Sequence, residues 1–496
     1  MAQRLDSSFP GRFAPHLKAL LLCTALALPG FFAARHLATW PARLRYPGEL
    51  NSVEGRELAE MTRLREGEPV YAPASPGRFD STNYGPLFYL LGSRLVDPRQ
   101  PAYRPLRVLA MLATVALAAA CGRLAWWIAG SPAAAALASL MFLAYEFVTT
   151  FGLCARPDSL ALLLGFSGFL AAYRWQGSSK ILWSIPCMVL GAYYKQQFMV
   201  APLAVGLFLV LEKRWREALQ FAVLLAASGL GLLAAFEFLI FPRQAFLLHF
   251  LTYNRIPFSG WEGLLWLRQL AIILLIPCLM ALRSLHLRPD KLLACYLGWA
   301  IFLLPIMIAK KGTQMNYCFE LILVLCPLVA SLVTMRLSSP IRATPLIYLL
   351  GVALALGQLS RGGNGDPSPR DFAQDRELQT FLRGNFPPQT PALGFFTGDL
   401  LRAGLATPIT DLYQYSWLAS QGKVPDEWLV GQLRQRRFGV ILLASDMTSE
   451  SSAHAPYGLW VSESFHQAFL QNYRLARTFE FHLWEQRHYY AWVPRR

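Results

Sequence analysis

Three groups of side chains in this 496-residue chain could do chemistry. The first is acidic and runs Asn51-Ser-Val-Glu-Gly-Arg-Glu-Leu-Ala-Glu-Met-Thr-Arg-Leu-Arg65. Its spacing predicts a helix capped by Asn51 or Ser52. Leu58, Met61 and Leu64 recur on one stripe, with Glu54 a turn earlier on the same stripe, while Glu57 and Glu60 fall toward the polar side. Desolvation on an apolar face raises a carboxylate's pKa, which suits a general base. The same position also fits a first-turn acid favoured by the helix dipole. The second stretch, Asp80-Ser-Thr-Asn-Tyr-Gly-Pro-Leu-Phe-Tyr-Leu-Leu91, passes from a polar turn into a short apolar helix with Pro86 in its first turn. Asp80 reads either as a turn residue or as a site acid. The segment 84–97 is too short to span a bilayer and is expected at the interface.

The third group is cationic. In Arg156-Pro157-Asp158 the Arg suits an anionic group and the Asp suits orienting it, or the pair is a headgroup contact and a helix cap. Lys195-Gln196-Gln197 interrupts a nearly continuous apolar stretch, where a cation is costly and points to function. Lys310 and Lys311 precede Asn316, Tyr317 and Glu320, which share one helix face. A set of cations beside carboxylates suits a lipid phosphate with a reacting group next to it.

These side chains must be held by something mostly apolar. Hydrophobic residues make up 54% and charged residues 15%, against roughly 25% charged in a soluble domain. This excludes a disordered, coiled-coil or collagen-like chain and argues against a soluble enzyme. The net charge is +16. Residues 361–496 hold 14 basic and 13 acidic side chains, so nearly the whole excess lies in the apolar part. That distribution points to a membrane and not to nucleic acid.

Apolar runs near 17–37, 105–129, 132–151, 157–174, 181–195, 196–211, 218–241, 263–282, 291–309, 316–335 and 341–359 predict about eleven transmembrane helices. The first follows Arg4, Arg12 and Lys18 and reads as an uncleaved anchor. Arg123, Arg174 with Lys180, Lys213 to Arg216, Arg283 to Lys291, and Arg336 with Arg342 make every second loop basic. The positive-inside rule then puts the N-terminus in the cytoplasm and the C-terminal region outside. Two long outer segments follow, 38–104 and 361–496, the latter opening on the linker Arg361-Gly-Gly-Asn-Gly-Asp-Pro-Ser-Pro369. Beyond it, helices are expected at 371–384 and 427–436, strands at 392–396 and 438–444, and a closing hairpin at 477–493. The expected fold is thus an α-helical polytopic membrane domain over 1–360 and an extracytoplasmic α/β domain over 361–496. The eight cysteines lie in or beside apolar runs and match neither a zinc nor a disulfide pattern.

There is no phosphate-binding loop, dinucleotide fingerprint, HExxH, CxxC or Asp-x-Asp pair, so no nucleotide cofactor is expected. No metal ligands are assigned, and a divalent metal stays open.

With these motifs in order, the chain resembles the GT-C superfamily of polytopic glycosyltransferases, and more narrowly the bacterial relatives of protein O-mannosyltransferases and of the lipid A aminoarabinose transferase. The resemblance rests on Glu54-Gly55 soon after the first span, Tyr84-Gly-Pro-Leu-Phe-Tyr, Arg156-Pro-Asp158, Lys195-Gln196 and Asn316-Tyr317 with Glu320, and covers most of residues 40–325. Where the family carries an Asp-Glu pair, this chain has Val53-Glu54. The resemblance implies a bacterial inner-membrane enzyme that moves a sugar from a polyprenyl-phosphate donor to a glycan, lipid or protein acceptor with inversion. Glu54 would be the base, with Asp80 or Asp158 positioning the acceptor or sharing that role. Arg156, Lys195, Lys310 and Lys311 would neutralise the leaving phosphate, while Tyr84, Gln196, Asn316, Tyr317 and Glu320 would position substrate. A transporter or lipid flippase coupled through Glu146 and Glu237, and an O-antigen polymerase or ligase, are the competing readings.

Overall fold

The computed structural model describes residues 14–241, 245–255, 257–337, 339–358, 366–448, 462–483 and 487–495. Arg4, Arg12 and residues 361–365 of the expected linker lie outside the described residues. Helices α1 (Ala14–Leu37), α2 (Trp40–Arg45), α3 (Ser52–Arg65), α4 (Pro86–Leu95) and α5 (Arg104–Ala129) open the chain. There follow α6 (Pro132–Ala144), α7 (Glu146–Phe151), α8 (Asp158–Arg174), α9 (Ile185–Tyr194), α10 (Val200–Leu211), α11 (Trp215–Ala234) and the single turn α12 (Phe246–Leu248). The bundle closes with α13 (Gly260–Leu287), α14 (Lys291–Ile308), α15 (Phe319–Arg336) and α16 (Pro340–Gly357).

The apolar runs read from the sequence lie largely on helix, and among the described residues 6 helices are long and apolar enough to cross a membrane. Others are shorter than a crossing requires. The runs at 181–195 and 196–211 form α9 and α10, of 10 and 12 residues, either side of a non-helical break. A 10-residue helix is about 15 Å long, half of a bilayer core. α15 is the central pillar, buried at every position from Phe319 to Val333 and packed on α5, α6 and α13. In α11 only Phe221 is buried, and Leu219, Val223 and Leu230 are exposed, as a lipid-facing helix requires. The basic loops gather at one end. Arg288 donates to the Ile128 carbonyl (3.0 Å), Arg214 to that of Gln176, and Lys291 to Glu212 (2.6 Å).

The other end carries α3, α4 and the C-terminal part. There α17 (Pro369–Asn385), α18 (Thr397–Arg402), α19 (Leu412–Ser420), α20 (Asp426–Arg434) and α21 (Glu463–Asn472) surround a four-stranded sheet. Its strands are β1 (Ala392–Gly394), β2 (Val440–Leu443), β3 (Tyr473–Phe481) and β4 (Arg487–Pro494), in the order β1-β2-β4-β3. β1 and β2 are parallel; β4 runs antiparallel to β2 and β3. Its apolar cores do not stay within the tail. One takes in Tyr46, Leu50 and Cys154, another Phe79 and Tyr253. Gly55 of α3 meets Gly398 of α18 so closely that a Cβ on Gly55 would stand 2.5 Å from the Gly398 nitrogen. Only glycine allows that crossing.

One buried ion pair ties this junction to the bundle. Arg107 of α5 meets Glu54 of α3 bidentately, Nε to Oε1 at 3.0 Å and Nη2 to Oε2 at 2.7 Å, and both are fully buried. The same guanidinium donates to the carbonyls of Tyr46 (2.6 Å), Gly48 (2.7 Å) and Arg43 (3.1 Å). Glu54 also accepts the backbone N–H groups of Leu50 (2.8 Å) and Ala155 (2.6 Å). The expectation of a raised Glu54 pKa is therefore overturned. Burial pushes it up, but the Arg107 charge and these hydrogen bonds hold it below the ordinary value. Removing one partner leaves a bare buried charge, whereas removing both leaves none. Arg107→Met is therefore predicted to cost about 3–5 kcal/mol, read as a lower thermal midpoint. The Glu54→Gln/Arg107→Met double variant should lose less than the sum of the singles. A single Arg107→Met variant as stable as the parent would show that the pair is not what joins these parts.

Candidate active site

α3 is capped by Asn51, whose side chain accepts the N–H of Val53 (3.1 Å). Its three glutamates at i, i+3 and i+6 are all fully buried. Glu57 and Glu60 were expected on a polar side. They are instead covered by residues 80–84, α4 and the C-terminal part. Glu57 accepts from Arg56 Nε (3.0 Å), and Arg56 also pairs with Asp411 and lies 5.9 Å from the Tyr84 ring centre. Burial raises the Glu57 carboxyl, against the pull of Arg56, Tyr89 and, further off, Arg156. Glu60 receives Ser81 Oγ (2.8 Å), Thr82 N (2.9 Å) and Thr410 Oγ1 (3.0 Å), all on Oε1. Its Oε2 is buried without a hydrogen-bond partner. Burial first, then the charges of Glu57 and Asp80, push its pKa up to about 8. Thr82 sits at φ 37°, a strained setting for a β-branched residue, and its hydroxyl donates to the Val70 carbonyl at 2.6 Å.

Asp80 is itself buried, with both oxygens engaged by Arg63 and by Arg78 (2.7 Å).

The cationic motifs meet on Asp158, the first residue of α8. Lys195 Nζ lies 2.6 Å from Oδ1, Arg156 Nε 3.2 Å from Oδ2, and Asn316 Nδ2 also donates to Oδ1. Lys195 is placed by the break between α9 and α10, and Asn316 by a single turn before α15. The ammonium is caged by the rings of Tyr84 (5.2 Å), Phe198 (5.3 Å) and Tyr317 (5.6 Å). Arg156 further donates to Gln314 Oε1 (2.6 Å) and lies over the Phe151 ring. Gly85 makes this possible: a Cβ there would stand 2.0 Å from the Tyr193 carbonyl oxygen, so glycine lets Tyr84 reach the end of α9. Two cations against one carboxylate leave a positive charge for an incoming anion.

Of the other expected residues, Gln196 donates to the Asn83 carbonyl (2.9 Å), and Gln197 to the Tyr317 hydroxyl (2.9 Å). Glu320 accepts the N–H of Val200 (3.0 Å), capping α10. Lys310 and Lys311 are not drawn onto Asp158. Lys310 stacks over Phe258 at 6.0 Å, and the Lys311 N–H bonds the Pro257 carbonyl. Glu237, considered as a coupling acid, accepts the N–H of Leu247 (3.1 Å). Asn83 Oδ1, Gln196 Oε1, Gln197 Oε1, Asn316 Oδ1 and Glu57 Oε2 are buried acceptors without partners around the same centre. Such a concentration marks a place built for donors of a ligand or water. Among the described residues, no three His, Cys, Asp or Glu side chains gather where a metal ion would sit.

No family profile and no curated protein matches the chain. Solved structures do. The apo crystal structure of ArnT from Cupriavidus metallidurans matches with a TM-score of 0.55 at 13% identity, covering 93% of this chain and 97% of that one. The same enzyme bound to undecaprenyl phosphate matches with a TM-score of 0.51 at 14% identity, again over 93% and 97%. At this identity the likeness shows a shared fold. The chain matches as a multi-pass helical bundle carrying a small C-terminal sheet, over nearly the full length of both chains.

The Glu60 carboxyl binds its proton more tightly in the folded chain than the ordinary value of 4.5. Between about 4.5 and 8 the unfolded chain has released that proton and the native state has not, so its contribution to stability falls as pH rises through this window. Glu60→Gln is predicted to remove that loss. The thermal midpoint of the parent should fall relative to Glu60→Gln as pH is raised across the window, and parallel profiles would contradict the assignment.

Proposed function

We propose that the protein is an integral membrane glycosyltransferase that moves a sugar from a polyprenyl phosphate to an acceptor hydroxyl, with inversion at the anomeric carbon. The observation that carries the reading is the convergence of Arg156 and Lys195 on Asp158. The fold shared with ArnT, an enzyme crystallised with undecaprenyl phosphate, supports the donor class. The reaction end would be extracytoplasmic in a bacterial inner membrane, because the basic loops lie at the opposite end.

In this reading the donor phosphate docks on Arg156 and Lys195, and Asp158, itself bonded by Asn316, holds both cations in place. The acceptor oxygen attacks C1 from the face opposite the phosphate. The C1–O bond to phosphate breaks as the new C1–O bond forms, and the polyprenyl phosphate leaves with the electron pair. Glu57 takes the acceptor proton. It is assigned that role over Glu54 because Glu54 has its lone pairs filled by Arg107 and two backbone groups, whereas Glu57 keeps an unpartnered oxygen within Coulombic reach of Arg156. The amide oxygens of Asn83, Gln196, Gln197 and Asn316 accept from the hydroxyls of the sugar.

Glu57→Gln is predicted to leave the thermal midpoint near that of the parent and to reduce transfer by about 100-fold or more, the range of a lost general base. The assay is release of lipid phosphate from a panel of polyprenyl-phosphate sugars by the purified protein. Parent-like turnover would move the base elsewhere. In the same assay Arg156→Gln should raise the donor KM, and Lys310→Gln/Lys311→Gln should change it little. The reverse ranking would put the donor phosphate at the Lys310 segment.

A further inference from the structure

A cavity of about 1020 Å³ lies between the bundle and the C-terminal part, and none of its charged walls enters the proposed reaction. One wall is the membrane-level rim, with Arg45 at the end of the first apolar span and Arg99 and Arg104 leading into the second. The facing wall is Arg383, Arg402 and residues 404–408 of the C-terminal part, and the third is the Ala59–Thr62–Arg63 face of α3.

The lining is unbalanced: seven arginines against two glutamates. Arg63 and Arg78 are committed to Asp80, and Arg402 to Asp375 and Asp399. Arg45, Arg99 and Arg104 are exposed, and their guanidinium groups form no hydrogen bond or ion pair among the described residues. Arg383 is exposed as well and gives one N–H to the Arg402 carbonyl (2.7 Å). Four guanidinium groups without carboxylate partners thus share one concave space. Gathering like charges costs free energy unless an anion occupies the space between them. Topology does not call for them, since the basic loops stand at the other end of the bundle. Guanidinium forks match phosphate oxygens in pairs, as ammonium groups do not, and every one of these cations is an arginine.

We propose that this cavity binds the phosphorylated headgroup of a membrane lipid. Arg45 and Arg104 stand at the ends of two membrane helices, so a ligand anchored in the bilayer reaches the mouth without leaving it. The C-terminal part supplies the far wall and so completes the enclosure around the headgroup. The proposal does not depend on the glycosyltransferase reading.

The test uses the full-length protein in neutral detergent, titrated with dihexanoyl phosphatidic acid, dihexanoyl phosphatidylcholine and inorganic phosphate, with thermophoresis as the readout. The phosphatidic acid should bind about tenfold more tightly than the phosphatidylcholine, and less tightly as salt is added. The Arg45→Gln/Arg99→Gln/Arg104→Gln variant and the separate Arg383→Gln variant should each weaken it, because they lie on opposite walls. Arg434→Gln/Arg437→Gln, exposed but outside the cavity, should leave it unchanged. Equal binding by the parent and both cavity variants would overturn the site. An equal loss in the Arg434 and Arg437 control would mean surface charge alone. Inorganic phosphate binding as tightly as the lipid would overturn the lipid assignment in favour of a free-phosphate site.

Discussion

Burying charge at the end of an apolar bundle is expensive, and the structure is organised around meeting that cost. A carboxylate or guanidinium removed from water loses several kcal/mol of hydration unless partners replace it. Glu54 and Arg107 meet this condition fully. The guanidinium serves a carboxylate and three carbonyls, and the carboxylate also takes two N–H groups. That pair joins α3, the turn after α2, α5 and the loop before α8. Once these are joined, the neighbouring helices deliver Arg156, Lys195 and Glu57 to one region.

The contrast between satisfied and unsatisfied groups separates support from site. Glu54, Asp80 and Glu320 are engaged, each by backbone or cations. Around Asp158 the cations are held by one carboxylate, and buried amide oxygens on Asn83, Gln196, Gln197 and Asn316 have no donors. An incomplete polar network is costly to keep. In the proposed reading, a ligand rich in hydroxyl groups with a phosphate at one end would pair with both the cations and the amide oxygens.

The C-terminal part is not an appendage on a tether. Its sheet core includes side chains from the first loop, Gly398 presses on Gly55, and Arg56 crosses to Asp411. It closes over α3 and buries the face that would otherwise meet water. This cover is what raises the pKa of Glu60 and of Glu57.

Much of this was readable in the chain itself. Long apolar runs located the helical segments, charge partition put the basic loops at one end, and strands near 392, 440 and 477–493 lie where short apolar runs and a closing hairpin were expected. Lys195 was readable because a cation in an apolar run is costly whatever the fold, Arg156 and Asp158 as a cation beside an acid, and Asn316 and Tyr317 as polar groups on one helix face. Local pattern reaches only one turn or one strand away. It could not pair Glu54 with Arg107, 53 positions on, so it could not show that every oxygen lone pair of Glu54 is engaged. Nor could it see that residues 80–84 and the C-terminal part would cover α3, so Glu57 and Glu60 looked solvated. Three acids at i, i+3 and i+6 in a basic chain were the available signal. The sequence by itself determined which residues are costly to bury, because that depends on residue type. Only the tertiary structure decided which of them are compensated, because compensation is a matter of long-range neighbours.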